Sequence, residues 1–445
     1  MTQTFRIGTG AGFSADRLDP AVDLARHGAL DAMIIECLGE RTLAFGHRDR
    51  ALDPSKGYNA LLDRRMRALL PPCREAGTVI VTNMGAANPM AAAARTVKIA
   101  RELGLDGLTV ACVEGDDVSD AVGPDTPLMD EPGTLGDVGL PLVGANAYLG
   151  ADALLPALAA GADVVIGGRI ADPALALAPL MHRFGWPLTD WHRLGAGTLV
   201  GHLLECGMQV TGGYFADPGV KDVPNLAYCG FPIAEVEADG SAVITKLEMA
   251  GGCVTPATVK EQLLYEVHDP SRYLTPDVTA DFSRVTIEER GANRVAVSGA
   301  GGASRPERLK VTVGFEGGFL AEAGISYAGP NAQARGRLAA DILAERMRHL
   351  HRVEEPLRID LVGVASLFAT TGGAPTDTQD VRIHAALRSR RRETAELLLW
   401  EVESLLCCGP AGGGGFRGSI TPSVVTRSVL IDREAVRPSL RMFTA

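Results

Sequence analysis

The chain has 445 residues, 46% of them hydrophobic and 22% charged, with a formal net charge of −11. That length exceeds one simple core and suits two domains, in an ordinary globular composition. The acidic balance argues against a nucleic-acid footprint, since the arginines are scattered except at 388–392, which reads as a solvated helix face.

In chain order, a short apolar strand over 5–8 opens into GTGAGF at 8–13. A helix is expected over 18–27, a buried strand over 32–38 (AMIIECL), and helices over 41–50 and 58–75. TVIVTN at 78–83 predicts a third strand, followed by MGAANP and a helix over 90–103. A fourth strand, LTVACVE at 108–114, ends in GDDV. Beyond a Pro/Gly/Asp-rich excursion, 144–148 leads into a helix over 152–160. DVVIG at 163–167 is a fifth strand, with a helix over 173–184 behind it. Continuous apolar strands alternating with amphipathic helices predict an α/β fold, with a mostly parallel, doubly wound sheet in the N-terminal half.

A helix over 195–206 follows, broken at Gly207. After Gly213 the pattern changes to short alternating or β-branched segments at 242–246, 294–298, 310–314 and 359–364. Helices are expected over 258–266, 332–351 and 376–407. These predict a second, α+β domain with a more antiparallel sheet. The Pro/Gly/Asp segment at 217–224 marks the boundary, giving domains 1–216 and 217–445. The tail carries a glycine-rich loop, CCGPAGGGGFRGSI at 407–420, and a last strand over 423–431.

Ionisable chemistry is densest in TLVGHLLECGMQVTGGYF at 198–215. On a helix His202 and Glu205 stand at i and i+3 and share a face. Burial and a neighbouring charge bring either pKa near neutrality, so the pair can work as acid and base. The alternative is a satisfied hydrogen-bond pair in a helix interface. Gln209 and the Gly212–Gly213 pair follow, where backbone could approach a ligand.

In parallel sheets ligands bind beyond the carboxyl ends of the strands, and polar residues collect there: Glu36 and Glu40, Asn83 and Asn88, Glu114 with Asp116 and Asp117, Arg169 with Asp172. Arg169 could clamp a carboxylate or phosphate, or could pair with Asp172 to close the turn. EGDD at 114–117 could hold a divalent metal through carboxylates, although no second carboxylate set at fixed spacing supports it; no other cofactor is signalled. GTGAGF, with Gly10 and Gly12, resembles a phosphate-cradling turn but departs from G-x-G-x-x-G; close backbone packing is the alternative. GGGG at 412–415 lacks the Lys of a Walker loop. On the amphipathic stretch 258–270, Lys260 could meet an anionic ligand, with solvation the alternative.

The eight cysteines form no C-x-x-C and sit mostly in apolar runs, which fits reduced thiols in a cytoplasmic protein. The N-terminus shows no signal segment, and no stretch reaches the roughly 18 apolar residues of a membrane span.

One set of motifs is shared with a known family: RIGTGAGF, GHRDR with DPSKGY, N-x-G-x-x-NP at 83–89, VEGDDV, GGRIADPAL with FGW, GHLLECGMQVTGGYF, and TVKEQLLYEVHDPSRYLTPDV. In this order they resemble the acyclic terpene utilisation (AtuA-like) family over essentially the whole chain. The resemblance implies breakdown of acyclic terpenes and other branched acids by way of acyl-CoA thioesters. It also implies that a small separate subunit supplies a C-terminal domain that longer members carry.

The leading expectation is therefore a catabolic enzyme acting on a carboxylic acid or acyl-CoA thioester, a cofactor-independent lyase or hydratase. His202 would be base or acid with Glu205 its partner; Arg169 and Asp172 would hold the substrate; Asn83 and the Gly212–Gly213 backbone would donate to the enolate oxygen. Glu40, Asn88, Gln209, Gly10, Gly12 and Lys260 complete the expected substrate-binding set. The chain is expected to be a homo-oligomer with no nucleic-acid or membrane partner. Two alternatives stand beside this: a non-catalytic acyl- or terpenoid-binding subunit active only with a small partner chain, and a nucleotide-dependent enzyme using GTGAGF.

Overall fold

The computed structural model describes residues 4–367 and 378–445. The strands in chain order are β1 (Phe5–Ala11), β2 (Ala32–Ile35), β3 (Val79–Thr82), β4 (Thr109–Glu114), β5 (Leu142–Ala147), β6 (Val164–Gly167), β7 (Pro232–Val236), β8 (Ala242–Lys246), β9 (Tyr273–Leu274), β10 (Thr279–Asp281), β11 (Thr286–Gly291), β12 (Arg294–Ser298), β13 (Gly301–Ala303), β14 (Arg308–Ala328), β15 (Leu357–Val362), β16 (Asp380–Ser389), β17 (Gly414–Asp432) and β18 (Ser439–Thr444). The helices are α1 (Asp19–His27), α2 (Glu40–Leu52), α3 (Leu62–Ala76), α4 (Pro89–Glu102), α5 (Leu155–Ala159), α6 (Ala174–Phe184), α7 (Trp191–Glu205), α8 (Pro256–Leu264), α9 (Ala332–Glu345) and α10 (Arg392–Cys408).

The chain forms two compact units: 1–139 with 143–314 and 426–445, and 140–142 with 315–425. The first is built on a 10-stranded sheet in the order β11-β12-β8-β7-β1-β2-β3-β6-β4-β18. Its centre, β1-β2-β3-β6-β4, is parallel throughout. The flanks are antiparallel: β7 against β1, and β18 against β4. Every residue of β2 and β6 is buried, as expected of strands covered on both faces. Met33 and Ile35 pack with Leu24 of α1, Leu69 of α3 and Ile99 of α4. On the other face lie α6 and α7.

The second unit has β15-β16-β14-β17 with α9 and α10 packed on it. Val381, Ile383, Ala385 and Leu387 of β16, all buried, meet Leu343 of α9 and Leu398 of α10. No helix among the described residues is long and apolar enough to cross a membrane.

The α/β class holds, and four expectations within it are corrected. The division at 217 does not separate the compact units, because β7 and β8 extend the first sheet through β1 and β12 follows on β8. A turn-rich segment marks a loop; which sheet the next strand joins is a long-range matter. The strand expected over 5–8 runs on through GTGA to Ala11, so the glycines lie inside β1, while α1 starts at Asp19, close to the expected 18. The helix expected over 376–407 is a strand and a helix, β16 then α10, with 376–377 outside the described residues. The glycine loop at 407–420 is already strand from Gly414.

Candidate active site

A cleft of about 760 Å³ opens in the first unit at the carboxyl ends of β1, β2 and β6, where a parallel sheet presents ligand sites. Gly12 to Arg17 line it after β1, Glu36 to Glu40 after β2, and Arg169 and Asp172 after β6. The end of α7 contributes Glu205 and Cys206; Gln209, Gly213 and Tyr214 follow, and Tyr265 and Glu266 close it from the end of α8. Tyr214 and Glu266 both hold positive φ, at 62° and 57°, a conformation that side-chain-bearing residues rarely adopt without local support.

Gly12 is required by close approach. A Cβ there would stand 2.3 Å from the Cys206 carbonyl carbon and from Gly207 N. The loop after β1 therefore rests directly on the end of α7. Its N–H donates to Asp16 Oδ2 at 2.8 Å, so this loop presents a carboxylate where a phosphate cradle would present amide hydrogens. Gly10 lies within β1 against the side chains of Met33 and Ile35.

Helix α7 starts where the Asp190 side chain accepts from Arg193 N–H. At its other end His202 is 1% exposed, with Nδ1 2.9 Å from Glu205 Oε1 and Nε2 3.2 Å from Leu263 O. A carbonyl only accepts, so Nε2 carries a hydrogen and the shared proton lies between Nδ1 and Oε1. The ring packs against Tyr273 and Phe282 and does not line the cleft. Glu205 does, and its Oε2 is buried with no hydrogen-bond partner among the described residues. Burial raises Glu205 to about 7 against the opposing pull of His202. For His202, burial opposes the charge, but the bond to Glu205 and its charge outweigh it and leave the imidazole raised. Of the two, Glu205 lines the cleft and His202 stands behind it, bonded to Glu205 Oε1.

Glu36 follows β2 and is largely buried. Its Oε1 accepts from Leu38 N–H at 2.6 Å and from Asn83 Nδ2 at 3.1 Å. Burial, then the charge of Asp172, pushes its pKa up to about 8 despite Arg169. Asn83 is fully buried, and its Oδ1 accepts from Cys37 N–H at 2.9 Å. It positions Glu36 and does not reach the cleft.

Arg169 is 1% exposed, and its guanidinium is committed to the carbonyls of Leu38 and Ile170 and to Asp172. It also sits over the Tyr148 ring, 4.4 Å from the centroid. The pair closes the turn after β6, so Arg169 sets the field of the site and is no open clamp. Asp172 is raised, by burial first, against the lowering effect of Arg169. Glu40 is the exception among these acids: burial would raise it, but the Tyr148 hydroxyl at 2.7 Å and Lys310 at 3.3 Å hold it at about 2.

Of the other expected residues, Gln209 and Gly213 line the cleft and the rest lie apart. Gly212 and Gly213 N–H donate to Gln209 O at 3.1 Å and Met208 O at 2.8 Å, so neither amide is available to an enolate oxygen. Asn88 caps α4 through Ala91 N–H and donates to the carbonyls of Pro54 and Lys56. Lys260 lines a neighbouring hollow with Phe215 and Leu264. The acids of 114–117 diverge: Asp116 accepts from Arg169 N–H and Asn146, Asp117 from Ser119, and Glu114 pairs with Arg441. No group of three or more His, Cys, Asp or Glu among the described residues converges to hold a metal ion.

Tyr148 and Lys310 were not singled out from sequence; Glu36, a polar residue at a strand end, and Glu266, on the 258–270 stretch, were noted but left out of the expected site set. Glu36 is also the lone acid in the apolar run AMIIECL. Tyr148 and Lys310 carry no such signal.

No curated protein and no solved structure matches the chain. A family description does, acyclic terpene utilisation family protein AtuA, over residues 5–442. The match spans the sheet, the cleft and the second unit alike, and the chain belongs to the acyclic terpene utilisation AtuA family.

Proposed function

We propose that the chain is a catabolic enzyme acting on a carboxylic acid or its acyl thioester by acid–base chemistry of the lyase or hydratase type. Membership of a family named for acyclic terpene utilisation supports the catabolic setting. The observation that carries the chemistry is Glu205, a buried carboxyl with one oxygen tied to His202 and the other unpartnered on the cleft.

In the dehydrating direction, ionised Glu205 takes the proton from the carbon next to the carbonyl. The C–H electron pair forms the new double bond, the bond to the β-oxygen breaks, and the departing hydroxide takes a proton from a carboxylic acid of the cleft to leave as water. Hydration is the reverse. A carboxyl near neutrality serves both directions, because its two forms are comparably populated. His202 acts through Glu205: as an imidazolium it stabilises the ionised carboxylate.

The test is exchange of α-hydrogen for deuterium, followed by NMR, over a panel of short branched acids and their thioesters. Glu205→Gln should lower exchange by about two orders of magnitude or more. His202→Ala should move the pH profile to the alkaline side, because Glu205 loses the partner that lowers its pKa. Wild-type exchange in Glu205→Gln would remove Glu205 from the mechanism.

A second reading is an acyl-binding subunit completed by a small partner chain. It is supported by Phe13 and Tyr214, which line the cleft yet are 62% and 86% exposed. Activity appearing only on addition of a co-purifying small chain would favour it.

A further inference from the structure

The cleft floor brings three carboxyl groups together from separate elements: Glu36 after β2, Asp172 after β6 and Glu205 at the end of α7. The charge of Asp172 acts on both of the others. Two arginines line the space among the described residues. Arg169 is fully engaged with Leu38 O, Ile170 O and Asp172. Arg17 donates to Ala227 O at 2.7 Å and Leu226 O at 3.4 Å. A carboxylate ligand on the floor would meet the three acids there and Arg169, whose guanidinium is already engaged, while Arg17 stands exposed with its Nη1 on two carbonyls. Glu205 Oε2, buried and unpartnered, points to a ligand on this floor.

Glu36 shows what that ligand presents. Both of its hydrogen bonds within the protein fall on Oε1. A carboxyl oxygen that accepts two N–H groups leaves the proton of the acid form to the other oxygen. Oε2 is therefore placed as a donor, and a donor fixed at a carbonyl oxygen stabilises the charge that grows there.

We propose that the carbonyl compound taken by this cleft is uncharged, a thioester, ester or ketone rather than a free carboxylate, with Glu36 Oε2–H donating to its oxygen. The assignment rests on the acid–base reading above and narrows its substrate class. Burial and the Asp172 charge keep Glu36 an acid at neutral pH, with its pKa at about 8. The titratable groups around it are Arg169 and Asp172, Glu205 and Cys206, Asp16, Glu40, and Arg65, which acts with Asp16 at the adjacent Cys37. Of the two cations, Arg169 is engaged with Asp172, and Arg65 is held by the carbonyls of Gly10, Ser14 and Asp16 and makes no hydrogen bond to Glu36.

The experiment presents one branched chain in four forms: the free acid, the S-acyl-N-acetylcysteamine thioester, the methyl ketone and the primary amine. Binding is measured by calorimetry from pH 6 to 9 on wild type and Glu36→Gln. The thioester and ketone should bind at least tenfold more tightly than the free acid at pH 7. Their binding should weaken above about pH 8 in wild type and stay flat in Glu36→Gln, whose amide donates but does not titrate.

The ligand comparison needs no variant. Where the amide variant does not fold, Glu36→Asp withdraws the donor by one methylene and should weaken thioester binding in the acid range. Equal or tighter binding of the free acid overturns the proposal. So do tighter binding of the amine, an alkaline decline that persists unchanged in Glu36→Gln, and failure of all four forms to bind. A thioester that binds with the expected pH dependence but exchanges no α-hydrogen supports this assignment and rejects the reaction class. Exchange of the free acid, stopped by Glu205→Gln, does the reverse.

Discussion

Each unit buries a carboxyl, and the two are treated in opposite ways. In the second unit Glu401 of α10 is 4% exposed, accepts from Arg346 at 2.7 and 2.9 Å, and lies 2.6 Å from His351 Nε2. The Arg346 bond outweighs burial and holds it below the usual carboxylate range. In the first unit Glu36 and Glu205 are 9% exposed, yet burial wins and both are raised. Depth alone does not decide the protonation of an acid. What decides it is whether a cation is assigned to that acid or already engaged elsewhere. Glu401 is a fixed charge that ties the turn following α9 to α10, while Glu36 and Glu205, raised, line the cleft.

The comparison breaks most sharply on neutralising each acid in turn. Glu401→Gln should lower stability by about 1–3 kcal/mol, since charged hydrogen bonds are lost, and leave exchange per folded molecule unchanged. Denaturant midpoints and exchange rates read the two effects. Glu205→Gln should show the opposite pattern, and similar profiles for both variants would dissolve the distinction.

A smaller effect sharpens it. Glu36 keeps its proton in the folded chain between the ordinary value of 4.5 and about 8, where the unfolded chain has lost it. The folded state binds more protons over that window, so stability falls as pH rises through it. Melting curves of Glu36→Gln should therefore gain on wild type as pH rises from about 5 to about 8. Parallel curves would show that Glu36 is not a raised acid. Glu401 has the reverse sign, its stabilisation being lost as the solution becomes acidic. The smallest change expected is in Lys260→Ala, which alters the hollow beside the cleft. Its KM should move by less than about threefold, the scale of ordinary surface substitutions; a larger rise would extend the ligand into that hollow.

Much of the first sheet was legible because its strands are short, apolar and separated by amphipathic helices. The runs at 32–38, 78–83, 108–114 and 163–167 became β2, β3, β4 and β6. β16 was missed although Val381, Ile383, Ala385 and Leu387 alternate, because the strong helix of α10 begins three residues after it and lent its period to the whole stretch. At the site, the shared face of His202 and Glu205 followed from their spacing. Which of the two meets the ligand did not, because it depends on Leu263 O, Tyr273 and Phe282, brought in from about 60 to 80 residues downstream. Likewise Arg169 reads as a clamp until its donors are traced to Leu38 and Ile170. Local sequence gives the type of a side chain and its face, but not which of its hydrogen bonds are already made.

Strand β18 has a consequence for how the molecule is made. It pairs along the whole of β4, from Ser439 opposite Glu114 to Thr444 opposite Thr109. Until residues 439–444 have left the ribosome, β4 shows a row of unpaired amide and carbonyl groups, an open template for a second chain. A nascent or nicked molecule lacking this strand is exposed to edge-to-edge association during that interval.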